Sequence, residues 1–269
     1  MTNEKEYLLG TNKAELERLR FQHGVWKSVT DGFLDRLHVG KGWHCLDVGA
    51  GPGFVTQDLR ARVGESGSVT AVEPSPLYVQ YLRDEIEKNQ WRTISTIQGT
   101  AESADLPLEK YDLIFVRWVV NFLAEKETFL AKLIPLLKKG GVIAIQDYWY
   151  EGLSLYPKGS AFERMADIVR AYYRAGGGDP YATGMIPSFL KKQGLTMIDF
   201  SPHQLAGGPE TPIFEWVHRF LMLHLPHMVE KGVISQEECD IQTANWLNYK
   251  NNPETMYFSP LVVDIAARR

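Results

Sequence analysis

Cysteine is nearly missing from this 269-residue chain, which has only Cys45 and Cys239. Two are too few for a disulfide framework, and neither sits in a Cys-x-x-Cys pair or a Cys/His cluster, which argues against structural zinc and predicts no metal site. Long apolar runs are missing as well. No stretch approaches the roughly 18 residues that cross a bilayer, and the polar start MTNEKEYLLGTNK lacks the apolar centre of a signal peptide. No membrane span and a cytoplasmic location are therefore expected. Nor is there an excess of basic charge. The net charge is −4, and no basic run is longer than Lys138-Lys139 or Arg268-Arg269. A nucleic-acid partner, which would need a basic footprint, is not expected.

What the chain does have is apolar material: 44% of its residues are hydrophobic, enough for one substantial core with a smaller attached subdomain. Apolar residues from Leu16 to Leu37 recur at helical spacing, interrupted at Gly24, so one helix or two shorter ones fit equally. Strand signals then alternate with helix signals. Strands are expected at 43–48, 68–72, 93–98, 111–116 and 142–146. Helices are expected at 54–62, 76–89 and 128–137, the last ended by Gly140-Gly141. Strands that are apolar on both faces and alternate with helices mean a parallel sheet covered on both sides. Helices at 160–174 and 186–193, a strand at 195–200, a mostly helical stretch at 207–255 and a buried strand at 261–265 follow. The expected fold is α/β, a doubly wound, seven-stranded, mostly parallel Rossmann-like sheet. Its expected parts are N-terminal helices over residues 1–39, a core of 40–206 and 256–269, and a helical substrate-side insertion of 207–255.

The chemistry is concentrated after the first strand, in Asp47-Val48-Gly49-Ala50-Gly51-Pro52-Gly53. Glycines there let backbone approach a ligand where a Cβ would collide, at the carboxyl end of a strand where open α/β sheets bind ligands. Glu73, twenty residues beyond Gly53 at the end of the next strand, can accept both hydroxyls of a ribose. A dinucleotide-binding turn is spaced G-x-G-x-x-G, whereas these glycines fall as G-x-G-x-G. Asp47 before them would repel a pyrophosphate and suits a cationic ligand.

LDVGAGPGFVTQDL resembles the first motif of class I S-adenosylmethionine (SAM)-dependent methyltransferases, and VTAVEPSPLYVQYL resembles their second. QGTAESADLP is similar to their adenine loop. YDLIFVRWVVNFL followed by LLKKGGVIAIQDY is similar to the strand-four and strand-five region of small-molecule enzymes related to quinone-biosynthesis methyltransferases. The resemblance implies SAM as cofactor and S-adenosylhomocysteine as product. It places the cofactor against Asp47, Gly49, Ala50, Gly51, Gly53, Glu73 and Pro74, with adenine at Ala101 and Glu102, because Thr100 stands where the family often has Asp. It further implies Arg117 toward the methionine part, and Gln22 and Tyr7 on an N-terminal lid. Trp118, Asn121, Tyr148 and Trp149, at or just past strand ends, are the candidate acceptor contacts.

Methyl transfer needs alignment more than a dedicated catalytic group, and none is named by the sequence. His203, His218, His224 and His227 read as structural rather than catalytic. His224 and His227 are three apart, but Pro226 is expected to break that helix and no ligand set completes a metal site. The expected activity is methyl transfer to an O, N or C atom of a small, hydrophobic or planar acceptor. The alternatives are a non-catalytic SAM-binding protein and, less favoured, a nucleic-acid or protein methyltransferase, since the N/D-P-P-Y/F motif of amino-methylating nucleic-acid enzymes is replaced by Arg117-Trp118-Val119-Val120. Oligomeric state is open.

Overall fold

The computed structural model describes residues 13–269, so Tyr7 lies outside the described residues. The first described element is α1 (Lys13–Arg36), a single helix that runs through Gly24. Then β1 (His44–Val48), α2 (Phe54–Val63), β2 (Ser68–Glu73), α3 (Pro76–Asn89), β3 (Ile94–Gln98) and β4 (Tyr111–Arg117) alternate as their residue patterns predict. Pro76 opens α3, where a missing N–H costs nothing, and the Ser75 hydroxyl caps it by accepting from the Tyr78 N–H.

The next element departs from expectation. Helix α4 covers Lys126–Leu133 and gives way to a 3₁₀ turn at Ile134–Leu136, where Pro135 cannot continue the α-helical ladder. Gly140 and Gly141 do not end a helix but lie inside β5 (Leu137–Trp149), which is much longer than its apolar stretch suggests. A Cβ on Gly141 would come within 2.8 Å of the Tyr111 carbonyl, so this point of the strand passes too close to β4 for a side chain.

After β5 come β6 (Ser154–Tyr156), α5 (Met165–Ala175), α6 (Ile186–Lys192), β7 (Thr196–His203), β8 (Ala206–Gly207), α7 (Pro212–Glu230), α8 (Gln236–Lys250), β9 (Met256–Phe258) and β10 (Leu261–Arg268). The main sheet has seven strands in the order β3-β2-β1-β4-β5-β10-β7. The strands from β3 to β5 are parallel, and β10 runs antiparallel to β5 and β7. Strand order reverses between β1 and β4, and a ligand crevice belongs above that point. Ile114 and Val116 face one apolar layer with α4 and α6, and Leu113 and Phe115 face the other with α2 and the end of α1.

Above the carboxyl ends of the strands lies a third apolar layer, which joins α5, α7, α8, the end of β5 at Tyr148 with the following Tyr150, and Trp26 of α1. A small sheet ordered β6-β9-β8 ties this layer to the main body. Helix α7 continues past Pro226, against the expected break; the helix forgoes one backbone N–H there while its apolar face stays packed. No helix among the described residues is long and apolar enough to cross a membrane.

Candidate functional site

One cavity of about 680 Å³ opens at the strand-order reversal and extends upward into the third layer. Its floor is the turn between β1 and α2. Gly49 and Gly51 take positive φ angles of 68° and 55°, which side-chain-bearing residues avoid. A Cβ on Gly49 would lie 2.4 Å from the Val119 side chain, whereas one on Gly51 would meet nothing within 4 Å. Gly49 is therefore required by packing, and Gly51 leaves bare backbone beside the cavity. Asp47, Ala50 and Pro74 line the cavity with these two glycines; Gly53 precedes α2 and does not.

Two carboxylates flank the turn. Glu73 accepts the Gly51 N–H on Oε2 at 2.8 Å and the Ser75 N–H on Oε1 at 2.8 Å, locking the glycine turn to the end of β2. Each oxygen keeps a further lone pair, since a carboxylate offers about four acceptor positions. Burial pushes the Glu73 pKa up. Asp47 is buried, accepts the Thr56 hydroxyl at 2.6 Å, and is pushed up to about 6, chiefly by burial. The loop after β3 presents Thr100 to the cavity, while Ala101 packs inward and Glu102 is exposed.

Arg117, at the end of β4, lines the cavity but is directed by α1. It donates to the Thr30 hydroxyl at 3.1 Å and to Nδ1 of His23 at 3.1 Å. Its guanidinium lies 4.3 Å over the Trp118 ring. Burial lowers its pKa to about 10, and burial beside that cation lowers His23 to about 3, so a neutral imidazole accepts from a charged guanidinium. Trp118 itself has φ 55° and stacks flat on Tyr148, ring centroids 5.6 Å apart. Its buried Nε1 has no acceptor among the described residues.

The loop carrying Trp118 is held by Asp147, a fully buried residue that the sequence reading passes over. Its Oδ2 accepts the N–H groups of Val119 and Asn121, and its Oδ1 accepts that of Tyr148. Burial outweighs those donors and raises the Asp147 pKa to about 7. Asn121, a candidate acceptor contact, is instead sealed behind the wall. Its amide donates to the Tyr148 carbonyl at 2.6 Å and its backbone carbonyl accepts the Asp179 N–H at 2.8 Å. Trp149 also points away from the cavity, against Gly184 and the lower apolar layer. Tyr148 and Tyr150 line the cavity instead. Strand alternation explains the pair, since residues two apart share a face.

The roof comes from α1 and α7. The fully buried face of α1 is led by polar groups, Glu15, Arg18, Gln22 and Thr30, with Trp26 and Phe33. Arg18 donates to both Glu15 oxygens at 2.6 and 2.7 Å and to Gln22 at 2.8 Å. Trp216 of α7 donates its indole N–H to Gln22 at 2.9 Å. Arg18, Gln22 and Trp216 line the cavity, as do Phe220 of α7 and Tyr257 of β9. The histidines lie outside it. His224 Nε2 is 3.7 Å from Glu15, His227 meets the Tyr172 hydroxyl, His218 accepts from Trp246, and His203 pairs with Asp264. Among the described residues no cluster suited to a metal ion forms.

Comparison with known proteins agrees with this architecture. Residues 46–145 match a family described as "Methyltransferase domain". A curated relative, the ubiquinone/menaquinone biosynthesis C-methyltransferase UbiE of Erwinia tasmaniensis, is 28% identical over 127 residues, 47% of this chain and 49% of the relative. The chain thus spans about half the length of the curated relatives it matches. Among solved structures, the YcgJ protein of Bacillus subtilis superposes with a TM-score of 0.60 at 15% identity, covering 88% of this chain and 97% of that one. Coclaurine N-methyltransferase, solved with N-methylheliamine and S-adenosylhomocysteine, gives 0.57 at 16% identity, covering 90% and 72%. These likenesses show the fold. The family match runs from β1 into β5 and so takes in the strands on both sides of the reversal point.

Proposed function

We propose that this chain transfers the methyl group of SAM to an O, N or C atom of a small hydrophobic or planar acceptor. The observation that carries the reading is the continuity of the cavity, which runs from the glycine turn at the sheet's reversal point to an aromatic chamber under α1 and α7. The names of the relatives span C- and N-methylation. The aromatic walls favour an apolar or planar ring.

The residues fit the cofactor. Gly51 offers backbone with room for close approach, Glu73 has lone pairs left for two ribose hydroxyls, and Asp47 supplies negative charge for an ammonium group. Thr100, with Ala101 and Glu102 behind it, borders the adenine end. Arg117 belongs to the methionine side of the chamber, whereas Gln22, expected there from the resemblance, is held in the roof by Arg18 and Trp216. SAM supplies an electrophilic methyl on a sulfonium, whose departure needs no acid. The protein's own contribution is to hold the acceptor in line and keep water out. In this reading the described part of the N-terminal lid, residues 13–39, forms the roof with 207–255, and 40–206 with 256–269 form the cofactor-bearing core; residues 1–12 of that lid lie outside the described residues.

Calorimetry of the purified chain with SAM, S-adenosylhomocysteine and NAD should show binding of the first two alone. Incubation with methyl-labelled SAM and a small-molecule extract should then yield a labelled product by mass spectrometry. No binding of S-adenosylhomocysteine overturns the reading. Binding without any labelled product would favour a non-catalytic SAM-binding protein.

Asp47 gives a pH dependence with a definite sign. Its folded pKa of about 6 lies above the ordinary 3.8. Its contribution to the stability of the free protein is therefore full at low pH and is lost as pH rises through 6. Cofactor binding depends on the opposite form, because only the ionised carboxylate attracts an ammonium. Affinity for S-adenosylhomocysteine is expected to fall as pH drops from 7 to 5. Asp47→Asn should bind weakly and lose most of that slope, as titrations across this range would show.

A further inference from the structure

Gln22 sits in the chamber roof with 3% of its surface exposed, and its side-chain oxygen is crowded by donors. Oε1 accepts from Arg18 at 2.8 Å, from the Trp216 indole at 2.9 Å and from the Tyr148 hydroxyl at 3.3 Å. A guanidinium and an indole N–H can only donate, so the branch facing them must be the oxygen. The amide N–H₂ is thereby turned the other way. No protein group among the described residues accepts from it, although Gln22 lines the cavity. Three contacts thus hold in place a buried donor whose own hydrogen bond remains for a ligand.

The surroundings define what that ligand presents. Among the described residues that line the cavity, the only carboxylates are Asp47 and Glu73, both at the glycine-turn end. Around Gln22 the lining holds the Arg18 cation and the hydroxyls of Tyr148 and Tyr150, and Glu15, which pairs with Arg18, does not line the cavity. Aromatic faces attract cations, but a guanidinium in the same wall opposes an incoming ammonium. A wall of donors suits an oxygen.

Building on the methyltransferase reading, we propose that Gln22 anchors the methyl acceptor by donating its amide N–H₂ to an oxygen of that molecule. The acceptor is then a ring compound bearing a carbonyl, hydroxyl or anionic oxygen, and not an ammonium. Gln22 is a specificity-determining residue that touches the acceptor; it takes no proton.

The test uses the full chain saturated with S-adenosylhomocysteine and two probes of one size class, 2-naphthol and 1-naphthylmethylamine, the latter an ammonium at neutral pH. Gln22→Glu keeps an oxygen toward Arg18 and Trp216 and replaces the cavity-facing donor with a second acceptor. The wild type should bind 2-naphthol about tenfold more tightly than the ammonium probe, and Gln22→Glu should lose about tenfold for 2-naphthol, the scale of one hydrogen bond. Its affinity for S-adenosylhomocysteine should stay within about twofold, well under one hydrogen bond's worth. Gln22→Met, of similar shape and lacking the donor, should show the same loss and covers the case in which the Glu variant does not fold. Preference for the ammonium probe, binding of neither probe, or variants that weaken S-adenosylhomocysteine and leave 2-naphthol unchanged would each overturn the proposal. A wild type that does not bind S-adenosylhomocysteine overturns the methyltransferase reading before any probe is added, and this assignment falls with it.

Discussion

Glu73→Ala is expected to weaken binding of S-adenosylhomocysteine by at least about 100-fold. Two hydrogen bonds from ribose hydroxyls to a carboxylate are worth roughly 1.5–3 kcal/mol each, so losing both amounts to about 3–6 kcal/mol. A second loss adds to the first. The same carboxylate holds the N–H groups of Gly51 and Ser75, so alanine also frees the turn that approaches the ligand. The fold itself should survive, because burial already penalises the ionised Glu73 and its removal relieves that cost. Calorimetry gives the affinity, and far-ultraviolet circular dichroism checks that the variant is folded. Affinity within a few-fold of wild type would remove Glu73 from the cofactor site.

That half of the site is legible in the sequence because its requirements are local. A turn that must take positive φ shows as glycine, and a ligand group at a strand end shows as an acid after a β-branched run. Asp47, Gly49, Gly51 and Glu73 are all of this kind, and all line one end of the cavity. The chamber is different. Its walls come from α1, β5, α5, α7 and β9, which only tertiary packing brings together. Apolar periodicity in α1 picks out Trp26 and Phe33, which are fully buried, but also Leu16, Leu19, Val25 and Val29, which are half-buried flanks. The face that packs fully is headed by Glu15, Arg18 and Gln22, and buried polar residues carry no periodic signal until their partners are known. Strand parity was available for Tyr148-Trp149-Tyr150 and separates Trp149 from the other two. Asn121 and Asp147 show the remaining limit, since a buried amide and a buried acid that clamp backbone look the same in sequence as ligand contacts.

The polar seam of the roof carries the largest expected effect on stability. In Arg18→Met, Glu15 would be left buried without its guanidinium, 3.7 Å from His224 of α7. Breaking one side of a buried ion pair costs about 3–5 kcal/mol. For a protein of this size that corresponds to a fall of roughly 10 °C in Tm. The pH dependence separates loss of the Arg18 charge from loss of its packing. In the wild type, burial raises the Glu15 pKa, but Arg18 and His224 outweigh it and hold the value below the ordinary 4.5. The pair's stabilisation is therefore present above that pH and is lost on acidification. In Arg18→Met burial has the upper hand, the folded pKa moves above 4.5, and the sign reverses. The deficit of the variant should shrink as pH falls from 7 to 5, because Glu15 can then be buried neutral. The double variant Glu15→Gln/Arg18→Met should recover much of the loss at pH 7, since a buried pair replaced on both sides leaves no lone charge. Urea denaturation at both pH values measures all three proteins. A deficit that is independent of pH, or a double variant no better than the single one, would mean that Arg18 supports the roof through its packing alone.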